Sequence, residues 1–389
     1  MRNTDRPIHQ DYLQDKSGNI FQVITSCHPP DKVIALLRYV PALDPKDPNA
    51  IWQPKSGRIK GIRYHRQLEA YNVSMARSNV DFVETTLSSY VLSDSIYDVP
   101  MIAVPRTMIE VYYQPRQRLG EILGSDERKL DEFEVAAKHI ANSLRDYLGI
   151  ESDHVGITGS ILWRAQHRYS DIDVVIYGLE NKSRLVTRCQ KLYLADPKIT
   201  GLNEQWTQEF AKSLQEKSGL PLEECYKYVL RKPWLMLYHE PKIRKQPIQV
   251  GIYFAPTQDE AEEFYVPYGQ EWYESVGTIV VEAEITDDSL SLYYPAIYTI
   301  SVEAVTEFTS KETHTIHPSE IKRIFLFEGA ISGYAFAGDR IRVRGILQHV
   351  RSSENDSFYQ ILIGTKENYS REYIQLLDRN PSIDSPLSR

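Results

Sequence analysis

Cysteine is scarce in this chain: Cys27, Cys189 and Cys225 are the three among 389 residues. They are widely separated and odd in number, which leaves neither a metal-ligand spacing nor a disulfide framework. No run approaches the ~20 apolar residues that span a bilayer. The opening M-R-N-T-D-R-P-I-H-Q-D lacks the apolar core of a signal peptide. These absences together predict a reduced, cytoplasmic protein with no membrane partner. Positive charge is not in excess either. Lys and Arg number 45 against 53 Asp and Glu, for a net charge of -8. That excludes a surface coated all over by nucleic acid, although a local basic groove remains open. There is no Walker lysine, no G-x-G-x-x-G, and no Gly-x-Ser-x-Gly around a candidate serine. Internal repeats and low-complexity tracts are missing as well. What is present is ordinary globular material, 42% hydrophobic and 25% charged, in a length suited to two or three domains.

One stretch stands out: I-T-G-S-I-L-W-R-A-Q-H-R-Y-S-D-I-D-V-V-I-Y, from Ile157 to Tyr177. Val155 and Ile157 suggest a strand entering a turn. Gly159 can take backbone angles that a side chain forbids, and Ser160 stands where a short helix would begin, with backbone N–H groups free to meet phosphate. Ten residues later, Asp171-Ile172-Asp173-Val174-Val175-Ile176 reads as a strand. Side chains alternate along a strand, so Asp171 and Asp173 share one face while Ile172, Val174 and Ile176 share the other. Two carboxylates held side by side call for a cation, and Mg²⁺ is commonly held by one or two carboxylates plus substrate phosphates. The ordinary alternatives are a pair of solvated acids and a plain helix cap. A glycosyltransferase also uses Asp-x-Asp on a metal, but it has no need of the Gly-Ser turn.

The Gly-Ser pair followed at this distance by Asp-hydrophobic-Asp-hydrophobic resembles the signature of the DNA polymerase beta-type nucleotidyltransferase superfamily, over Val155 to Gly178. The resemblance implies a nucleoside triphosphate substrate, with Gly159 and Ser160 on its terminal phosphates. It also implies that Asp171 and Asp173 are the catalytic residues that hold Mg²⁺ or Mn²⁺. The superfamily usually adds a third carboxylate from a later strand. Here the expected strand, 248–254, has none, and Glu240, Glu282 and Glu284 are the candidates left. The whole arrangement also looks like a group of prokaryotic predicted nucleotidyltransferases with H-P-P-D-K-V-I-A-L-L-R-Y-V-P in the N-terminal region.

The flanks read as follows. Residues 1–124 form an N-terminal α+β region, with strands over 18–40 around the rigid His28-Pro29-Pro30-Asp31 turn, a third strand over Arg58–Tyr64, and mixed short helices and loops over 65–124 broken by Pro100, Pro105 and Pro115. No catalytic motif marks this region, and His9, His28 and His65 read as structural. Residues 125–275 form the core: a long helix over Ser125–Tyr147 capped by Ser125 or Asp126, the central unit, helices over 182–195, 204–217 and 222–230, and strands near 234–238 and 248–254. Residues 276–378 form a small β-rich domain, a barrel or sandwich of OB-like kind, and 379–389 a frayed tail. The predicted fold class is thus α+β, a mixed-sheet nucleotidyltransferase core between two β-containing regions.

The predicted activity is transfer of a nucleoside monophosphate to an acceptor hydroxyl, on RNA, another nucleic acid or a protein. The alternative is a catalytically impaired module that binds nucleic acid through Arg340, Arg342 and Arg344 on one strand face, with Tyr359 and Tyr373 as stacking platforms. Arg164, His167 and Arg168 are further phosphate-contact candidates, and Ser170 is expected to orient the loop before Asp171.

Overall fold

The computed structural model describes residues 6–55, 59–67, 73–92, 96, 98, 100–218, 220–310, 316–353, 356–364 and 372–377, so the expected tail lies outside the described residues. The architecture is α+β, with three sheets and, among the described residues, eight α-helices. None of these helices is long and apolar enough to cross a membrane.

The first sheet contains β1 (Tyr12–Asp15), β2 (Ile20–Val23), β3 (Lys32–Pro41), β4 (Tyr64–Arg66), β5 (Val91–Leu92), β6 (Met101–Pro105) and β7 (Ile109–Tyr113), with helix α1 (Val73–Thr86) between β4 and β5. The strand order is β5-β6-β3-β2-β1-β7, with β4 on the end of β3. The segment expected as mixed helices and loops therefore supplies three more strands, too short to show a period. The strand expected over Arg58–Tyr64 is instead a turn at 59–61, with Gly61 at φ 82°, and pairing begins at Tyr64.

The middle of the chain runs α2 (Pro115–Leu123), α3 (Glu132–Leu148), β8 (Val155–Ile157), α4 (Gly159–Leu162), β9 (Ile172–Tyr177), α5 (Leu179–Ala195), β10 (Ile199–Gly201), α6 (Glu204–Ser218), α7 (Leu222–Leu230), β11 (Met236–Tyr238), β12 (Ile248–Ala255) and α8 (Gln258–Phe264). Its sheet is mixed, ordered β10-β11-β12-β9-β8, with β12 parallel to β9. The long helix expected from Ser125 begins only at Glu132, and α2 lies wholly before it. Pro115 opens α2, where its missing N–H costs nothing. Asp126 caps only a short 3₁₀ turn. The cap of α3 is Asp131: it accepts from the Glu134 N–H at 3.0 Å while Glu134 accepts from the Asp131 N–H at 2.9 Å. Phe133, Ala136, Ala137, Ile140 and Leu144 recur at three- and four-residue spacing, one apolar face, and it is buried against β8, β9 and α5. Tyr147 falls off that face and is 44% exposed. Asp131 also accepts from Gln166 at 2.7 Å. Asp131→Ala is therefore expected to lower the stability measured by urea unfolding by about 1–2 kcal/mol.

The third sheet comprises β13 (Glu271–Asp287), β14 (Ala296–Thr309), β15 (Ile321–Leu326), β16 (Arg340–Ser352), β17 (Ser357–Ile363) and β18 (Tyr373–Leu376). The order is β13-β14-β15-β17-β16-β18, and β13 also pairs with β16 along its length. Five strands thus close on themselves, with β15 and β17 parallel. Gly277 and Gly345 let the backbones approach at this closure: a Cβ at Gly277 would stand 2.3 Å from the Thr309 oxygen. Although α6 and α7 interrupt the central sheet in sequence, Ala211, Cys225, Tyr228 and Val229 bury against the closed sheet.

The N-terminal sheet packs on the central one at two places. Tyr12, Tyr39 and Tyr64 enclose Leu162 and Trp163, just after the Gly-Ser turn, and Ile8 covers Val175 and Tyr177 on β9. Between these contacts Asp11 is buried, accepting from the Ile8 N–H at 3.0 Å and from the Tyr112 hydroxyl. Burial pushes its carboxyl up to about 7. A carboxyl whose folded value lies above its unfolded one costs stability as pH rises from the unfolded value to the folded one. Asp11→Asn is accordingly expected to be more stable than wild type at pH 8, by on the order of 2 kcal/mol, with the difference smaller at pH 5. Urea midpoints at the two pH values check this.

Candidate active site

The site begins where β8 ends. The Thr158 N–H donates to the Asp173 carbonyl at 2.9 Å, and the Thr158 hydroxyl donates to the Gln10 carbonyl at 3.1 Å, so the turn is tied both to β9 and to the N-terminal segment. Gly159 has φ 60°, a left-handed conformation that suits glycine. Helix α4 is a single turn, and Ser160 within it is buried. The chain then turns at Arg164, also left-handed at φ 62°, with its carbonyl accepting from the Lys55 N–H at 2.8 Å. Ser170 orients the last loop as expected: its hydroxyl accepts from the His167 N–H at 3.0 Å and its own N–H donates to the His167 carbonyl at 2.8 Å.

The faces of β9 divide as the alternation predicts. Ile172, Val174 and Ile176 are wholly buried in the central core, while Asp171 and Asp173 line a cavity of about 440 Å³ on the other side. Gly159 and Ser160 line the same cavity. The Asp173 carboxylate is seated between two glycines. A Cβ built on Gly159 would stand 2.1 Å from its Oδ2, and one on Gly251, its register partner on β12, 2.4 Å from its Oδ1. Burial, and then the neighbouring charge of Asp171, push Asp173 up to about 6, against the opposing charges of Arg66 and Arg38 and a hydrogen bond with Tyr253. Asp171 is half exposed, with Arg244 Nη2 3.6 Å from its Oδ1.

The remaining walls come from all parts of the chain. Gln10, Tyr12, Arg38, Tyr39, Trp52 and Arg66 belong to the N-terminal sheet and its loops. Gln249, Gly251 and Tyr253 belong to β12, Leu214 to α6, and Gly329 to the region of the closed sheet. The N-terminal region, which shows no catalytic motif in its sequence, thus supplies two arginines to the cavity.

None of the candidate third acids reaches it. Glu240 pairs with Lys198 at 2.8 Å, Glu282 pairs with Arg342, and Glu284 lies on β13 opposite Arg340. On β12 the residues beside the acid pair are Gln249, Gly251 and Tyr253, none of them an acid. Among the described residues no three His, Cys, Asp or Glu side chains gather as metal ligands. His167 lines the cavity. Arg164 turns away to Glu121 at 2.7 Å, and Arg168 lies over the Tyr169 ring. His28 is held between the Pro7 carbonyl, at 2.9 Å, and the Ile34 N–H, at 3.1 Å, a structural role. The three arginines of β16 do share one face, and glutamates meet them there: Arg340 with Glu303, Arg342 with Glu282, Arg344 with Glu307 at 3.8 Å. Tyr359 stacks on His349 with centroids 5.0 Å apart. Cys27, Cys189 and Cys225 are not joined in a disulfide.

Compared with known proteins, the chain is 27% identical over 372 residues to an uncharacterized protein of Methanocaldococcus jannaschii, an alignment covering 94% of this chain and 98% of that one. No family model matches the chain, and no solved structure matches it.

Proposed function

We propose that this chain is a nucleotidyltransferase of the DNA polymerase beta type, which binds a nucleoside triphosphate with a divalent cation and transfers the nucleoside monophosphate to an acceptor hydroxyl. The observation that carries the reading is the meeting of Asp171, Asp173, Gly159 and Ser160 in one cavity. In the reaction the acceptor oxygen bonds to the α-phosphorus. The bond from that phosphorus to the oxygen bridging to the β-phosphate breaks, and pyrophosphate leaves with the electron pair. With Gln249 and Gly251 beside the acids where a third carboxylate would stand, the acceptor proton goes to water.

The acid pair suits Mg²⁺ or Mn²⁺: it offers hard oxygen donors only, and burial together with the neighbouring Asp171 charge raises Asp173, a penalty that a bound cation would offset. Bound there, the cation would polarise the phosphoryl oxygen and lower the acceptor hydroxyl's pKa. The protein's own part is positioning: the Gly159-Ser160 backbone receives the phosphates, and the buried floor of β9 fixes the carboxylates.

The closed ring β13-β14-β15-β17-β16 supports an OB-like reading of the C-terminal part, and with it RNA or another single-stranded nucleic acid as acceptor. A second reading, a nucleotide-binding module without transfer, is favoured by one observation, the absence of an acid at Gln249 and Gly251. Incubation with labelled nucleoside triphosphates, cell RNA and cell protein separates the two. Label in RNA or protein is expected. Mg²⁺-dependent triphosphate binding with no labelled product selects the module, and triphosphate binding indifferent to Mg²⁺ sinks both.

A further inference from the structure

The acid pair is ringed by guanidinium groups that come from elsewhere in the chain. Arg38, on β3, is only 4% exposed and lines the cavity. Arg66 ends β4 and lines it too. The Gln67 N–H donates to the Arg38 carbonyl at 2.8 Å, so the two strands carry these side chains as one unit. Arg66 also lies 5.9 Å from the Trp52 ring, which contacts the His167 ring at 4.6 Å, so it is braced against the loop leading to the acids. Arg244, in the loop before β12, reaches Asp171. Guanidinium stays charged at any pH a protein meets, and a buried one is costly unless an anion faces it. In the cavity Arg38 and Arg66 face the charge of Asp171 and Asp173, and Arg244 meets Asp171, the same charge that a divalent cation would take. Once a cation holds the carboxylates, the buried Arg38 needs another anion, and the phosphate chain of a nucleotide is an anion that Arg38 and Arg66 in the cavity, and Arg244 beside Asp171, are placed to meet.

We propose that Arg38, Arg66 and Arg244 are exchangeable counter-ions: they neutralise Asp171 and Asp173 before the cation arrives and bind the triphosphate oxygens after it. This rests on the nucleotidyltransferase reading and adds that the N-terminal sheet builds the polyphosphate side of the pocket. Cation and triphosphate then bind with positive coupling, because each releases the charges the other needs, and the coupling is reciprocal.

The consequence is a pair of effects of opposite sign, which a merely structural arginine would not produce. Arg66 is exposed and Arg244 partly so, and both are expected to tolerate glutamine. In the full chain, Arg66→Gln and Arg244→Gln are each expected to bind Mn²⁺ alone more tightly, by roughly three- to tenfold in spin-resonance titrations. The same variants are expected to bind tripolyphosphate in the presence of Mg²⁺ at least about tenfold more weakly by calorimetry. Unchanged or weaker Mn²⁺ binding in both variants overturns the exchange, and so does undiminished tripolyphosphate binding. The parent reading has its own control: if wild type binds Mn²⁺ no better than Asp171→Asn/Asp173→Asn, the metal site itself is wrong and both readings fall. Arg38→Gln, the buried case, should follow the same pattern with a larger loss of tripolyphosphate binding.

Discussion

Asp173→Asn is expected to lower nucleotide transfer by at least ~10³-fold while leaving the protein folded. The amide keeps the shape that fits between Gly159 and Gly251 but loses the charge that would hold the cation. It also removes a buried carboxylate standing beside Asp171. Without cation or nucleotide the variant should therefore be as stable as wild type or firmer, by roughly 1–2 kcal/mol at neutral pH. With Mg²⁺ and triphosphate the ranking reverses, because ligand binding raises the melting temperature of wild type alone. Opposite rankings with and without ligand would mark a site kept strained for function rather than a structural acid. Melting curves under both conditions, with a label-transfer assay, decide it. A variant that transfers within tenfold of wild type removes Asp173 from the mechanism.

Gly159→Ala and Gly251→Ala are expected to lower transfer by ~10²-fold or more each, although neither glycine has a side chain to lose. The added methyl would enter the space of the Asp173 carboxylate from one side or the other, at 2.1 Å and 2.4 Å from its oxygens. Asp173 is a short side chain on a buried strand, so it yields only by turning out of the position it shares with Asp171. Gly159→Ala carries a further backbone cost of roughly 1–2 kcal/mol at its left-handed φ. Gly251→Ala has no such cost, which makes it the cleaner probe. Pairing it with Asp173→Ala frees the space and should restore the stability that Gly251→Ala loses, without restoring transfer. If Gly251→Ala alone works at the wild-type rate, the seat of the carboxylate is not what matters.

Local signals were readable in the sequence because they concern neighbours along the chain. The alternation from Asp171 to Ile176, the Gly159 turn and the helices over 182–195, 204–217 and 222–230 all appear close to where local spacing puts them. The start of α3 was placed too early because Asp126 is also a capping residue, although what it caps is a short 3₁₀ turn. The cap that nucleates the long helix is the one with Glu134 three residues on, and that pattern was present to be read. Arg38 was hidden for a different reason. It sits in a run, V-I-A-L-L-R-Y-V, whose hydrophobicity announces a strand and says nothing of what the lone arginine faces. Its role depends on the packing of Tyr39 and Tyr64 around Trp163, a long-range contact without a local period. The basic face of β16 was read correctly as a face. The glutamates that meet it lie on β13 and β14 and become its neighbours only when the sheet closes.

The hollow around Asp173 takes Gln10 from near one end of the chain and Gly329 from near the other. On the ribosome, Asp171 and Asp173 are made long before the segment that carries Gly329. A nascent chain would hold its two acids in a half-built hollow for most of the synthesis that remains after Asp173, and a product truncated ahead of Gly329 would lack part of the enclosure.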